Sequence, residues 1–193
     1  MQLLDGNYWN ERYQHHQTQW DMGMVSPPLK AYADQLTNKA TRILIPGGGN
    51  SYEAGYLWEQ GFTNITVLDI AAAVTDQLKE RFAATGIRVL EGDFFAHHET
   101  YELVLEQTFF CALDPLLRID YVQHMSEMIV SGGKLTGVLF NRTFSHDGPP
   151  FGGNVTEYKE LFSQDFELKV MEDCYNSHPA RQGSEVFINF VRK

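Results

Sequence analysis

A regular alternation of short apolar runs and helix-like segments limits this chain to a small number of architectures. Five runs rich in apolar and β-branched residues occupy positions 42–45, 64–68, 87–90, 101–105 and 134–140. Runs this apolar are typical of central strands that are covered by helices on both faces. Strands that alternate with helices predict an open parallel sheet, because each strand joins the next through a right-handed crossover.

Helical spacing marks the segments between these runs. One buried helix face is predicted by Val74, Leu78 and Phe82, which recur at every fourth position. A second set at helical spacing precedes the fifth run and comprises Leu117, Tyr121, Met125 and Met128. Two glycines stand where a helix commonly ends before the next strand, at Gly61 and Gly86.

The pattern changes after residue 140. Residues 145–153 contain too many turn formers to be anything but a loop, and a short helix is predicted near 156–161. Two alternating segments follow, at 166–171 and 185–191, with no helix between them, which predicts an antiparallel pair. We therefore predict an α/β fold with a Rossmann-like, seven-stranded, mostly parallel sheet, an antiparallel last strand and helices on both faces. This sheet resembles that of methyltransferases that use S-adenosylmethionine.

The composition excludes several classes of protein. The chain has 193 residues, enough for one sizeable domain, so we expect a single domain over residues 1–193. The 25 acidic residues against 15 basic ones give a charge of −10, which opposes binding to nucleic acid. No apolar stretch approaches the roughly 18 residues of a membrane span. We expect a cytoplasmic monomer with two free thiols, Cys111 and Cys174.

The clearest candidate site is a run of glycines directly after the first apolar run. Gly47, Gly48 and Gly49 follow Pro46, and glycines there allow positive φ and let a ligand approach the backbone. Asn50 or Ser51 is expected to cap the next helix. The dinucleotide fingerprint G-x-G-x-x-G is the main competing interpretation, although Tyr52 occupies its third glycine position. The loop therefore fits dinucleotide binding poorly without excluding it.

Acidic residues end the next two apolar runs. Asp69 lies 20 residues after Gly49, at the position where an acid accepts both ribose hydroxyls of a nucleotide cofactor. Asp93 ends the third run and is followed by Phe94. An acid followed by an aromatic can bind the adenine amino group and cover the ring. This pairing is more typical of methyltransferases than of dehydrogenases.

A series of local motifs along nearly the whole chain resembles the thiopurine S-methyltransferase superfamily, particularly its branch of plant and bacterial thiol and halide methyltransferases. The motifs keep their order in the chain. They are Tyr8-Trp9-Asn10-Glu11-Arg12-Tyr13, Trp20-Asp21-Met22-Gly23, Ile45-Pro46-Gly47-Gly48-Gly49, Leu68-Asp69-Ile70, Gly92-Asp93-Phe94-Phe95, Gln107-Thr108-Phe109-Phe110-Cys111-Ala112-Leu113, Gly148-Pro149-Pro150-Phe151 and Arg181-Gln182-Gly183-Ser184-Glu185.

The resemblance implies a cofactor, S-adenosylmethionine, and a set of residues that hold it. Residues 1–30 would form an N-terminal aromatic lid segment that closes over the cofactor. Aromatic faces attract a sulfonium cation by roughly 0.5–2 kcal/mol each. The implied cofactor-binding residues are Trp9, Tyr13, Trp20, Gly47, Gly49, Asp69, Ile70, Asp93, Phe94 and Gln107.

The methyl acceptor implied by the resemblance is a small soft nucleophile: a thiol, a thiopurine, sulfide or another chalcogen, or a halide. Gln107 ends the fourth run, where the thiol and halide enzymes commonly carry Tyr, so halide transfer is in doubt. Glutamine cannot act as a base and offers an amide instead. His146 and Arg181 are the further catalytic candidates. Methyl transfer from a sulfonium requires no metal, and no spacing of metal ligands is present.

Two alternatives of other classes stay open at this stage. A nicotinamide-dependent oxidoreductase would use the same glycine loop and the same acid at Asp69. A non-catalytic domain that binds S-adenosylmethionine would keep the cofactor site while Gln107 marks a lost acceptor site. Binding of NADH would identify the first alternative, and cofactor binding without turnover would identify the second.

Overall fold

The computed structural model describes residues 3–193 and places the alternating runs in one seven-stranded sheet. Met1 and Gln2, which begin the predicted lid segment, lie outside the described residues. The predicted α/β fold is confirmed, with every expected strand present. The strands are β1 (Arg42–Pro46), β2 (Asn64–Asp69), β3 (Arg88–Glu91), β4 (Tyr101–Gln107), β5 (Ile129–Phe140), β6 (Phe166–Asp173) and β7 (Glu185–Arg192).

The α-helices alternate with the strands through most of the chain. They are α1 (Gly6–Gln14), α2 (Pro27–Ala33), α3 (Tyr52–Glu59), α4 (Ala72–Arg81), α5 (Arg118–Met128) and α6 (Val155–Phe162). Short 3₁₀ turns occupy Phe94–Ala96, Phe110–Ala112, Pro115–Leu117 and Pro179–Arg181. Within residues 3–193, none of these helices has the length and apolar character needed to cross a bilayer.

The sheet has the order β3-β2-β1-β4-β5-β7-β6. Strands β1 to β5 run parallel, and β7 lies antiparallel between β5 and β6, as the two alternating C-terminal segments predict. The chain order reverses between β1 and β4, because β2 extends the sheet on one side of β1 and β4 on the other. Ligands of open α/β sheets bind at such a switch point, beyond the carboxyl ends of the strands.

Two apolar clusters cover the opposite faces of the sheet. Successive residues of a strand point to opposite faces, and β1 accordingly sends Ile43 into one cluster and Leu44 into the other. Helices α2, α3 and α4 cover the face of Ile43, and α5 and α6 cover the face of Leu44. Because helices bury both faces of the sheet, a ligand has to bind at an end of the strands, and in open α/β sheets this is the carboxyl end.

Two local predictions are wrong. Leu117 was expected on the buried face of a helix, yet it is 36% exposed, because a 3₁₀ turn precedes α5 and the helix begins only at Arg118. Gly86 was expected to end a helix, but α4 already ends at Arg81. Gly61 does follow α3 closely and has a φ of +87°, as expected for a glycine that terminates a helix.

Candidate cofactor and acceptor site

The glycine loop after β1 requires glycine for both conformational and steric reasons. Gly47 and Gly49 have φ values of +55° and +51°, in the left-handed region that side chains disfavour. A Cβ atom on Gly47 would lie 2.2 Å from Cδ2 of Phe109, and one on Gly48 would lie 2.3 Å from Cγ1 of Val67. The loop therefore packs its bare backbone against β2 and against the segment that follows β4.

The expected cap of α3 is wrong. Ser51 is the first residue before the helix, but its φ is +46° and its side chain makes no capping hydrogen bond. Its Oγ is buried without a partner among the described residues. The Asn50 side chain donates instead to Oδ2 of Asp21 in the lid segment, and Arg81 donates to the carbonyls of Asn50 and Ser51. The loop is thus held by side chains from elsewhere in the chain rather than by its own cap.

Asp69, at the end of β2, fixes the glycine loop through a hydrogen bond that its carboxylate accepts. Its Oδ2 accepts from the Gly49 N–H at 2.9 Å, and its Oδ1 accepts from the Ala71 N–H at 2.9 Å. The residue is only 7% exposed. Burial raises the pKa of this carboxyl, and the two N–H groups oppose that rise. A carboxylate has about four lone-pair sites, so two remain for hydroxyl donors such as those of a ribose.

Three aromatic side chains of the lid segment pack together over this loop. The Trp20 ring lies edge-on to Trp9 and to Tyr13, at centroid distances of 5.5 and 5.7 Å. A Cβ on Gly49 would lie 3.0 Å from the Tyr13 hydroxyl, which places the set directly against the loop. Burial and nearby Asp69 raise the pKa of Tyr13. The structure thus brings together the three aromatics, the glycine loop and Asp69.

Further contacts fix the lid segment along its length. Asn10 in α1 accepts from the Ala73 N–H at the start of α4 through its side-chain oxygen, at 2.8 Å. Helix α1 begins against the end of β2, since a Cβ on Gly6 would lie 3.0 Å from the carbonyl oxygen of Ile70. The Ser26 N–H donates to Oε1 of buried Glu53 at 2.9 Å.

The acid–aromatic pair after β3 is split between surface and core. Asp93 is exposed, and its Oδ1 accepts from the Phe95 N–H at 3.0 Å, capping the 3₁₀ turn. Phe94 is 4% exposed and stacks on Tyr121 at 5.5 Å, so most of its ring lies in the core. Phe95 is partly exposed and packs edge-on against Phe94 at 5.1 Å.

Gln107 ends β4 with an unsatisfied side chain. Both its Oε1 and its Nε2 are buried, and neither has a hydrogen-bond partner among the described residues. A buried polar group without a partner costs about 1–3 kcal/mol. Gln107 is followed by Thr108, whose φ is +59°, and by Phe109, which lies against Gly47. The amide therefore lies at the carboxyl end of β4, just before the segment that packs against the glycine loop, with its hydrogen-bonding groups unused among the described residues.

Glu106, immediately before Gln107, was missed in the sequence analysis. It is fully buried, and its Oε1 accepts from the N–H groups of Phe109 and Phe110 at 2.8 and 2.9 Å. Tyr121 donates its hydroxyl to Oε2 at 2.6 Å. Burial raises the pKa of Glu106 to about 7. The available signal was an acid directly after the apolar residues Leu103, Val104 and Leu105. A buried acid requires several hydrogen-bond donors, so it indicates that nearby backbone is folded around it.

Other residues of the same region are structural. Arg118 forms an ion pair with Glu157 and donates to the Gly152 carbonyl at 2.6 Å, which ties α5, α6 and the loop after β5 together. Cys111 is buried, and burial raises the pKa of its thiol. Its carbonyl accepts from the Phe151 N–H at 2.7 Å.

The two remaining catalytic candidates lie in different settings. His146 is exposed, stands 5.3 Å from the Phe144 ring and lines an open cleft of about 290 Å³ with Glu157. Arg181 is buried and donates to the Trp20 carbonyl at 2.6 Å and to Oε1 of Glu185 at 3.4 Å. The contacts just described do not join His146 to Arg181.

Comparison with known proteins agrees with this arrangement. The chain is 27% identical over 184 residues to a probable thiol methyltransferase 2 of Arabidopsis thaliana, covering 92% of this chain and 81% of that protein. It is 26% identical over 196 residues to a thiopurine S-methyltransferase of Acinetobacter baylyi, covering 88% of this chain and 89% of that protein.

Solved structures share the fold. A TehB-like SAM-dependent methyltransferase from Corynebacterium glutamicum superposes with a TM-score of 0.71 at 17% identity, over 97% of this chain and 100% of that one. A structure solved in a study of the conversion of a disulfide bond into a thioacetal group during echinomycin biosynthesis superposes with a TM-score of 0.79 at 13% identity. The superposition covers 97% of this chain and 93% of that one. The family model for thiopurine S-methyltransferase matches residues 4–191. The chain therefore belongs to the thiopurine S-methyltransferase family.

Proposed function

We propose that this protein transfers a methyl group from S-adenosylmethionine to a small sulfur nucleophile. The observation that carries the proposal is the position of Trp9, Tyr13 and Trp20 over a glycine loop whose Gly49 N–H is bound by Asp69. A soft sulfonium cation is stabilised by aromatic faces, and a ribose by a buried acid. Membership of the family supports the same chemistry.

The cofactor-binding roles follow from this arrangement. We propose that Gly47 and Gly49 receive the amino-acid part of the cofactor and that Asp69, with Ile70, binds the ribose. Asp93 and Phe94 form the adenine end. When bound, the cofactor supplies a methyl group that its own positive charge has already activated. The residues of the chain align the reactants and exclude water, which is where most of the rate enhancement arises.

We propose that Gln107 contacts the acceptor, because its amide is buried and unpaired among the described residues. An ordinary thiol has a pKa of about 8.5, so a few per cent of the thiol molecules are thiolate at neutral pH without a strong base. In this proposal the thiol first gives up its proton, and His146, in the open cleft, relays that proton to water. The thiolate sulfur would then take the methyl group, and S-adenosylhomocysteine would be the leaving group.

The acceptor is proposed to be a thiol, a thiopurine, sulfide or another chalcogen, with halide as the weakest member. The relatives are named thiol, thiopurine and thiocyanate methyltransferases. We further propose a cytoplasmic monomer with no nucleic-acid partner, which the charge of −10 supports. One observation favours a second candidate, a cofactor-binding domain without turnover: Gln107 stands where the family resemblance implies a Tyr.

Calorimetric titration with S-adenosylhomocysteine, and with NADH in parallel, tests the class. We expect low-micromolar binding of S-adenosylhomocysteine and no binding of NADH. The reverse result would refute methyl transfer. Turnover is then followed by mass spectrometry with S-adenosylmethionine and hydrosulfide, an aliphatic thiol, an aromatic thiol, a thiopurine and iodide. Methylation of a sulfur acceptor is the expected outcome, and cofactor binding without any product would establish the second candidate.

A further inference from the structure

We propose that Arg181 is a positioning residue that clasps the lid segment over the cofactor and so sets how long cofactor and product stay bound. This inference rests on the proposed function, since it assigns a regulator of residence time to the same site. The clasp joins the two ends of the chain, because Arg181 precedes β7 and its Nη2 donates to the carbonyl of Trp20 across 161 positions of sequence.

The surroundings of Arg181 show that the contact with the lid segment is additional to the pairing of its charge. Arg181 is 9% exposed, and Glu185, which is 4% exposed, accepts from its Nη1 at 3.4 Å. The guanidinium carbon also lies 5.6 Å from the centre of the Phe140 ring. Both of these partners belong to the β5–β7 region. The hydrogen bond of 2.6 Å to Trp20 therefore links this region to the lid segment.

The adjacent residue of the lid segment is held from the opposite side of the site. The Asp21 carboxylate accepts from Nδ2 of Asn50 and, at 3.3 Å, from the hydroxyl of Tyr52. Trp20 is thus fixed by the β5–β7 region, and Asp21 by the glycine loop. The lid segment is therefore attached at two neighbouring residues to structures on opposite sides of the strand-order switch, and it lies across that switch.

Fixing the Trp20 carbonyl also restricts the Trp20 ring. The ring packs edge-on against Trp9 and Tyr13, so the backbone position of Trp20 determines whether the aromatic set stays assembled. A hydrogen bond from a charged donor is roughly twice as strong as one between neutral groups, and this one is partly shielded from solvent. Its loss is therefore expected to speed lid opening rather than to change the chemistry.

Arg118 offers a matched control. It is also buried, also pairs with a carboxylate, Glu157, and also donates to a backbone carbonyl at 2.6 Å, that of Gly152. Both of these partners lie outside the lid segment. Arg118→Gln therefore reports the cost of removing a buried, paired arginine without opening the clasp.

The test measures the dissociation rate of S-adenosylhomocysteine by stopped-flow tryptophan fluorescence in Arg181→Gln, Arg181→Lys and Arg118→Gln. Loss of one charge-assisted hydrogen bond is expected to raise the rate about tenfold in Arg181→Gln. Arg181→Lys, which keeps one charged donor, should raise it less. Arg118→Gln should stay within about twofold, the range of an indirect effect. Tryptic cleavage after Arg12, without ligand, should accelerate only in the Arg181 variants.

Three outcomes would overturn the proposal. A wild-type dissociation rate together with a raised KM for the acceptor would make Arg181 an acceptor ligand. Equal acceleration in Arg181→Gln and Arg118→Gln would reduce the effect to general destabilisation. If Arg181→Gln fails to fold, a wild-type dissociation rate and wild-type proteolysis in a folded Arg181→Gln/Glu185→Gln protein, which lacks the charged donor to Trp20 and leaves no buried carboxylate unpaired, would refute the clasp. Failure of the unmodified protein to bind S-adenosylhomocysteine would refute the proposed function instead. The difference in tryptic cleavage between the Arg181 and Arg118 variants, measured without ligand, would still test the clasp.

Discussion

The two sides of the strand-order switch are held in different ways. On the proposed cofactor side, the N–H groups of Gly49 in the glycine loop and of Ala71, just before α4, donate to buried carboxylate oxygens of Asp69, and three aromatics close over them. On the proposed acceptor side, the Gln107 amide is unpaired among the described residues, and His146 lies on an exposed loop. The proposed cofactor side is thus fixed by hydrogen bonds within the protein, whereas the proposed acceptor side keeps polar groups available. A shared cofactor and a variable acceptor call for this division of labour.

The largest effect is expected from Asp69→Ala. The substitution leaves the N–H groups of Gly49 and Ala71 buried without their acceptor, at about 1–3 kcal/mol each, and removes the proposed ribose contact. Affinity for S-adenosylhomocysteine in a calorimetric titration should fall by more than about 100-fold.

Asp69→Asn is the matched control for that loss. It keeps the shape and one carbonyl acceptor, so its affinity should lie between those of Asp69→Ala and the unmodified protein. If Asp69→Ala binds normally while still folded, the cofactor side is not organised by this carboxylate, and the contrast between the two sides loses its physical basis.

The next largest effect concerns the framework under the acceptor side. Glu106 has an ordinary pKa of 4.5 and a folded-state pKa of about 7. The folded state therefore binds the proton more tightly, and the free energy of unfolding falls as the pH rises from about 4.5 to about 7, by about 3 kcal/mol in total. Glu106→Gln should remove this fall, because an amide can accept from Phe109 and Phe110 and donate to Tyr121.

Urea unfolding of the two proteins between pH 5 and 8 measures the difference. The pKa values of Glu53 and Asp69 are also raised by burial, so only the difference between the two curves isolates Glu106. Parallel curves would show that Glu106 titrates near its ordinary value. Glu106 would then not be the group that titrates beneath the proposed acceptor side.

The same contrast explains how much the sequence could predict. The strands, their directions and the glycine loop follow from local rules: apolar runs, alternating C-terminal segments, and glycines after β1. The contacts that hold the loop do not, since Asp21 with Asn50, and Arg181 with Trp20, pair residues that lie far apart in the chain. Glu106 could not be recognised from its neighbours in sequence, because its role depends on the turn that brings the N–H groups of Phe109 and Phe110 back to it.

A steric test addresses the contact between the two sides. Gly47→Ala places a Cβ 2.2 Å from the Phe109 ring and must displace it, whereas Gly61→Ala, also at positive φ, meets nothing within 4 Å among the described residues. Both variants carry backbone strain of roughly 1–2 kcal/mol. Only Gly47→Ala should weaken binding of S-adenosylhomocysteine, by about tenfold, because only there must Phe109 move and only there does the loop receive the cofactor in our proposal. Equal affinities in the two variants would mean that Phe109 does not couple the sides.

The smallest expected effect separates charge recognition from packing in the aromatic set. Trp20→Leu removes packing for both forms of the cofactor, but only S-adenosylmethionine carries the sulfonium charge that an aromatic face attracts, by about 0.5–2 kcal/mol. The variant should therefore lose about threefold more affinity for S-adenosylmethionine than for S-adenosylhomocysteine, the lower end of that range. Trp58→Leu, in α3, should leave the ratio of the two affinities unchanged. An equal loss for both ligands would mean that the aromatics only pack the lid segment onto the domain, and that the cofactor side recognises shape rather than charge.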